Sequence, residues 1–337
     1  DHPFSQLDGN DLWPEVALGR ISVRSTGELA VVVSKILGYE QASDMQNNWF
    51  EKARIVGDPS TSGISCTITA ENIAEKMEDY GMQDVDLKIS GGNYDGYMVD
   101  ALSEGVNYLN YRGWYGVSGF GNNNVDGASS AGFKLPFATI ITCGTGSFSS
   151  EPQCLSEKFL RAGSTTQPKG AVACIGTATT GTHTMYNNAV NIGVYAGLFS
   201  YDLQTAGEAL VAGKTNLYQN YPSNQDNWVK IFMYWNNLMG DSATRLWTGT
   251  PITMNVDYEE NLNAGQNFVN VNVSSDSNTP VVNALITLID ENNDNFYAQS
   301  FTDENGDAIV NFDPSLINGN LELTISKFNH KPHMGTL

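Results

Sequence analysis

Residues 137–148 read FATIITCGTGSF, and this stretch decides the fold. A short continuous apolar run closed by Gly-Thr-Gly fits a strand buried in a parallel sheet. Working outward, ARIVGD at 53–58, VNYLNYRG at 106–113 and GAVACIGTA at 170–178 have the same shape, each running into Gly or another turn-forming residue. Helical patterns lie between and after them: ELAVVVSKILGYE at 28–40, AENIAEKMEDYG at 70–81, CLSEKFLRAG at 154–163, NNAVNIGVYAGLFS at 187–200 and DNWVKIFMYWNNLM at 226–239. Ser25 and Glu28 open the first of these as a capping box, the hydroxyl accepting from the Glu28 N–H. Strands alternating with helices predict an α/β domain with a parallel sheet, whose loops at the carboxyl ends of the strands form the ligand-binding edge.

The 337 residues include 17 Lys and Arg against 37 Asp and Glu, a formal charge of −20. Such a chain repels phosphate and anionic lipid, which excludes nucleic acid and acidic membrane surfaces as partners and steers basic peptides toward it. No apolar run reaches the roughly 18 residues of a spanning helix, and Asp1 opens without a basic-then-apolar leader, as expected of a chain whose signal peptide has been removed. From Pro251 onward 12 acids face two lysines, so half the net charge lies on a quarter of the chain. That change of texture predicts domains at 1–250 and 251–337. In the second, NFVNVNVS, VVNALITLID, NFYAQSFTD, DAIVNF and LELTISKF alternate between apolar and polar residues, the pattern of an immunoglobulin-type β-sandwich. Asp303, Asn305 and Asp307 resemble a calcium loop in composition, but the distal Glu is absent and a β-turn is expected.

Four cysteines, Cys66, Cys143, Cys154 and Cys174, are too unevenly spaced for a disulfide framework and form no CxxC pair. Cys143 stands where the 137–142 run stops, ahead of a Gly-Thr-Gly turn whose N–H groups can face a carbonyl oxygen. Two readings are open there: a nucleophile with its oxyanion hole, or a buried structural cysteine. Gly144–Gly146 is not a phosphate loop, because no Lys follows.

Several of these stretches, in order, resemble the gingipain family of cysteine peptidases. DGNDLWPEVALGRISVRSTGELAVVVSKILGYE is similar to the family segment that runs from an acidic residue through Gly-Arg into a helix ending Tyr-Glu. VNYLNYRGWYG resembles the strand that ends in a His-Gly turn, TCGTGSFSSEPQCLSEKFLRA the nucleophile segment and its helix, GAVACIGTATTG the strand lining the specificity pocket, and MGDSATRLW the junction before the β-sandwich. The resemblance implies a caspase-like catalytic domain followed by an immunoglobulin-like domain. It makes Cys143 the nucleophile and Glu15 the acid that supports the catalytic histidine. The histidine itself is replaced: Trp114 or Tyr115 takes its place, and neither indole nor phenol is a base near neutral pH.

Of the four histidines His2, His183, His330 and His333, His183 in GTATTGTHTMYNN follows the strand next to that of Cys143 and is the candidate base, the other reading being a helix cap or pocket wall. The oxyanion hole is expected from the N–H groups of Cys143, Gly144 and the turn Gly113, Trp114, Tyr115, Gly116, with Thr182 beside the pocket. Trp114 either packs into the vacated histidine site or forms a wall for a substrate side chain. Arg112 is read as a surface cation or as a bidentate partner for a substrate carboxylate. A disulfide between Cys143 and Cys174 would abolish the nucleophile.

Catalysis then needs no cofactor, and structural calcium is implied without an assignable ligand set. The function expected is a secreted or surface cysteine endopeptidase acting on peptide or protein, exported by a type IX route. The alternatives are an inactive pseudopeptidase that binds or assembles, and a sortase-like transpeptidase. The same comparison places Asp1 at the start of the family's second subdomain, which implies a missing preceding subdomain or a processed partner chain.

Overall fold

The computed structural model describes residues 1–149 and 152–337; Ser150 and Glu151, inside the nucleophile-like stretch, lie outside the described residues. The chain divides into two compact units, residues 1–39 with 43–250 and residues 40–42 with 251–337.

In the first unit, β1 (Lys52–Gly57), β2 (Asp84–Lys88), β3 (Tyr108–Arg112), β4 (Phe137–Ile140), β5 (Ala173–Thr177) and β6 (Asn236–Met239) form one sheet in the order β2-β1-β3-β4-β5-β6. All neighbours are parallel except β5 and β6. The helices are α1 (Thr26–Glu40), α2 (Ser65–Tyr80), α3 (Tyr94–Glu104), α4 (Asn122–Gly127), α5 (Leu155–Arg161), α6 (Thr184–Ser200), α7 (Ala206–Asn220) and α8 (Lys230–Trp235). The Glu28 N–H donates to Ser25 Oγ at 3.1 Å, and Glu28 accepts in turn from the Arg24 N–H at 2.6 Å, so α1 opens as its sequence predicts.

Alternation along each strand sorts side chains between two helical layers. Leu109, Tyr111, Ala138, Ile140 and Cys174 share a core with Met98 and Leu102 of α3, Val125 of α4 and Phe159 of α5. On the opposite face Tyr108 meets Tyr195 and Phe199 of α6, with ring centroids 6.2 and 5.2 Å apart. Asn110, Thr139, Asn191 and Tyr195 form a buried hydrogen-bonded chain beside them. Register pairs Tyr111 with Ile140 and Ile140 with Gly176, so β3, β4 and β5 end side by side. That alignment creates the edge on which the site is built.

The segment 226–239 departs from its helical pattern. A π-turn, Gln225–Val229, leads into α8, and the chain then straightens into β6. Asn236 causes the break: its Nδ2 donates to the Phe232 carbonyl at 2.9 Å and its Oδ1 accepts from Thr177 Oγ1 at 2.9 Å, which offers the backbone a way out of the helix. The edge strand β2, DVDLK, carries too many charges to show as an apolar run.

The second unit holds β7 (Met254–Tyr258), β8 (Phe268–Ser275), β9 (Leu285–Asp290), β10 (Tyr297–Phe301), β11 (Asp307–Asn311), β12 (Leu321–Ser326) and β13 (His333–Thr336). They form antiparallel sheets ordered β10-β9-β12-β13 and β11-β8-β7. Val269, Val271 and Val273 of one sheet and Ile286, Leu288, Leu321, Leu323 and Ile325 of the other are buried in one core, every second residue pointing inward. Asp303 Oδ1 accepts from the Asn305 and Asp307 N–H groups at 2.8 and 3.0 Å, so this segment is an Asx-type turn.

Candidate active site

Four loops meet at the carboxyl edge of the sheet and enclose a small cavity. Ser62 comes from the loop after β1, Arg112, Gly113 and Trp114 from the end of β3, Thr142 and Cys143 from the end of β4, and Thr182, Thr184 and Asn187 from the start of α6. Cys143 is buried, and its Sγ lies 2.8 Å from Thr182 Oγ1. Asn187 Nδ2 donates to the same hydroxyl oxygen at 3.2 Å, which leaves the Thr182 O–H free to turn toward sulfur. The backbone N–H groups of Cys143 and Gly113 have no acceptor among the described residues. The N–H of Gly144, expected in the oxyanion hole, is committed elsewhere: it donates to the Thr179 carbonyl at 2.6 Å.

That bond belongs to a zipper between the loops after β4 and β5. Gly146 N–H donates to Thr177 O at 3.0 Å, Thr145 Oγ1 accepts from Thr177 N–H at 3.2 Å, and Ser147 Oγ accepts from Thr179 N–H at 2.9 Å. The backbones approach so closely that a Cβ on Gly146 would lie 2.7 Å from the carbonyl carbon of Gly176. Gly144 itself sits at φ +76°, where glycine is favoured.

Arg112 is neither a surface cation nor a carboxylate fork. Its residue is 1% exposed, and both terminal nitrogens are taken: Nη1 donates to the Gly113 and Ile141 carbonyls and Nη2 to the Thr184 carbonyl, each at 3.0 Å. One side chain thus ties together the ends of β3 and β4 and the first turn of α6. Its Nε has no partner, and burial pushes the guanidinium below its usual range. Strand alternation places 108, 110 and 112 on one face, which was the signal in the sequence that this Arg points inward.

Trp114 and Tyr115 are 47% and 57% exposed, so they do not fill a vacated site as packing. Trp114 walls the Cys143 cavity, and Tyr115 walls an adjoining groove of about 540 Å³ that also touches Asn122, Gly144, Ser147, Gln153, Thr179 and Thr180. Gly116, at φ +83°, turns the chain after them.

The other expected members are not brought to Cys143. His183 is exposed at the N-cap position of α6, with its ring edge-on to Tyr186 at 5.6 Å, and it does not line the cavity although Thr182 and Thr184 on either side do. Glu15 is exposed and accepts from the Leu7 N–H at 2.6 Å. His2 is buried, its Nε2 3.0 Å from the Leu12 carbonyl and its Nδ1 3.1 Å from Lys214 Nζ. All four cysteines are free, so Cys143 and Cys174 form no disulfide. Burial pushes the thiols of Cys66, Cys154 and Cys174 up. Among the described residues no cluster of His, Cys, Asp or Glu could hold a metal ion.

The sequence and the fold were compared with known proteins. The model of Peptidase family C25 matches residues 1–247. Gingipain R1 of Porphyromonas gingivalis is 25% identical over the whole chain, which spans 34% of that relative's length. Lys-gingipain HG66 of the same organism is 23% identical over 98% of the chain, which spans 20% of that relative. The crystal structure of the Arg-specific cysteine proteinase gingipain R superposes with a TM-score of 0.85 at 23% identity, covering 100% of this chain and 78% of the other. The α/β unit therefore has the caspase-like fold of gingipain, and the chain belongs to peptidase family C25.

Proposed function

We propose that this chain is a cysteine endopeptidase in which Cys143 attacks the peptide carbonyl. The observation that supports the reading is the placement of a nearly buried Cys143, with an unengaged backbone N–H, where a central strand of a C25 fold ends. In this mechanism the C–S bond forms as the carbonyl oxygen takes up negative charge against the N–H groups of Cys143 and Gly113. The C–N bond then breaks, the amine leaves with a proton, and water cleaves the thioester. His183, one residue from Thr182, is the imidazole that carries the proton, reached by rotation of an exposed ring. The same resemblance supports an extracellular location, export by a type IX route, a peptide or protein substrate, and an immunoglobulin-like identity for residues 251–337. Among the described residues no helix is long and apolar enough to cross a membrane.

A second reading, a pseudopeptidase that binds peptide without cleaving it, is favoured by one observation: among the described residues no imidazole or carboxylate lines the Cys143 cavity. One experiment separates the two. Under the first, a peptidyl chloromethyl ketone alkylates Cys143 at least about 100-fold faster than it does glutathione, and His183→Ala lowers that rate by about 100-fold or more. Alkylation no faster than that of glutathione leaves only the binding reading.

A further inference from the structure

The chain carries 37 acidic residues, yet among the described residues none lines the Cys143 cavity or the groove beside it. Among those residues the single charged side chain on either is Arg112, a cation. Asp58, just after β1 and next to Gly113, faces inward. It is 1% exposed, Tyr111 Oη donates to its Oδ2 at 3.0 Å, Ser118 Oγ donates to the same oxygen, and the Ser60 N–H donates to its Oδ1 at 2.9 Å. Burial alone would raise its carboxyl, but these donors outweigh it and hold the group below its usual range, so it remains an internal anion already supplied with partners.

A Lys or Arg side chain seated beside Cys143 would lose water, meet no carboxylate among the described lining residues and lie near a fixed guanidinium. An acidic side chain fares little better. The terminal nitrogens of Arg112 are held by carbonyls, and its Nε, without a partner, is buried. What the groove does offer is the amides of Asn122 and Gln153, the hydroxyls of Thr179 and Thr180, and the ring of Tyr115. Amides and hydroxyls both donate and accept, which suits a side chain that does the same.

We propose that the residue seated beside Cys143 is uncharged and hydrogen-bonding, of the Asn or Gln type, and that basic residues are rejected. The proposal rests on Cys143 being the nucleophile. It departs from the Lys and Arg named in Lys-gingipain HG66 and the Arg-specific cysteine proteinase gingipain R, and from the basic substrates that the overall charge would steer in.

The test uses four peptidyl acyloxymethyl ketones of one sequence, differing only in Gln, Asn, Arg or Lys next to the reactive group, with labelling of Cys143 followed by intact mass. The Gln or Asn probe is expected to label on the order of 100-fold faster than the Arg and Lys probes. Thr180→Glu, on an exposed loop, is expected to raise the Arg rate relative to the Gln rate at least tenfold. Arg or Lys probes that label the wild type as fast as Gln and Asn, well above a free thiol, overturn the selectivity and leave the nucleophile standing. Labelling of every probe at the rate of a free thiol overturns the nucleophile and the selectivity with it.

Discussion

Arg112→Met is the substitution that most directly tests how the active edge is held. Three carbonyls lose a donor. Gly113 O keeps Thr142 Oγ1 at 3.0 Å, and Thr184 O, in the first turn of α6, keeps the helical bond from the N–H four residues on, so among the described residues the Ile141 carbonyl is the one left without a donor. An orphaned, buried carbonyl costs about 1–3 kcal/mol, to which the two weakened carbonyls add little. Removing a guanidinium from a dry site returns part of that, since an unpaired buried charge is itself unfavourable, and the net loss expected is about 1–2 kcal/mol. Arg112→Lys is expected to fall between, because one ammonium can reach only some of three carbonyls that a planar fork serves together. Urea unfolding followed by hydrogen exchange with peptide resolution is the assay. Peptides covering 141–147 and 178–186 should lose protection first, and those from 251–337 should be unchanged. A loss below about 0.5 kcal/mol for Arg112→Met would refute the reasoning, since the three contacts would then contribute nothing beyond geometry.

Two further outcomes follow from packing and charge. Gly146→Ala places a methyl group 2.7 Å from the Gly176 backbone, and the expected loss is about 1–3 kcal/mol, with slower alkylation of Cys143 because the loop after β4 must shift; unchanged values for both, by urea unfolding and mass spectrometry, would contradict it. Burial pushes the Lys214 amine down to about 7 from 10.5. Between those values the unfolded chain binds more protons, so the contribution of this residue to stability rises as pH increases from 7 to 10.5 and is fully unfavourable below 7. The slope of unfolding free energy against pH should therefore be steeper for the wild type than for Lys214→Met, by on the order of a few kcal/mol across that window.

Much of the fold was legible because it rests on local periodicity. Short apolar runs ending in turn residues marked β1, β3, β4 and β5, and alternation marked five of the seven sandwich strands. The misses have local causes too. β2 is a charged edge strand, and the asparagines that end α8 look, in one dimension, like a continuing amphipathic turn. For the site, position at the end of a strand singled out Cys143, and the following loop drew attention to His183 and Thr182. Which of these touches the sulfur depended on one residue of loop geometry: Thr182 turns in and His183 turns out onto Tyr186.

By itself the sequence determined that a buried parallel sheet would bring several loops to one edge, with a cysteine at the end of one strand, and that an acidic β-rich segment follows it in the chain. The tertiary structure alone decided what that edge offers a substrate. Contacts between residues far apart in the chain convert Arg112 into an internal clamp 72 positions from Thr184, tie Gly144 N–H to Thr179, and leave a groove that no acid lines among the described residues of a strongly acidic chain. Periodicity reports which face a residue takes, whereas the partner of a hydrogen bond across two loops is set by packing that no local pattern encodes.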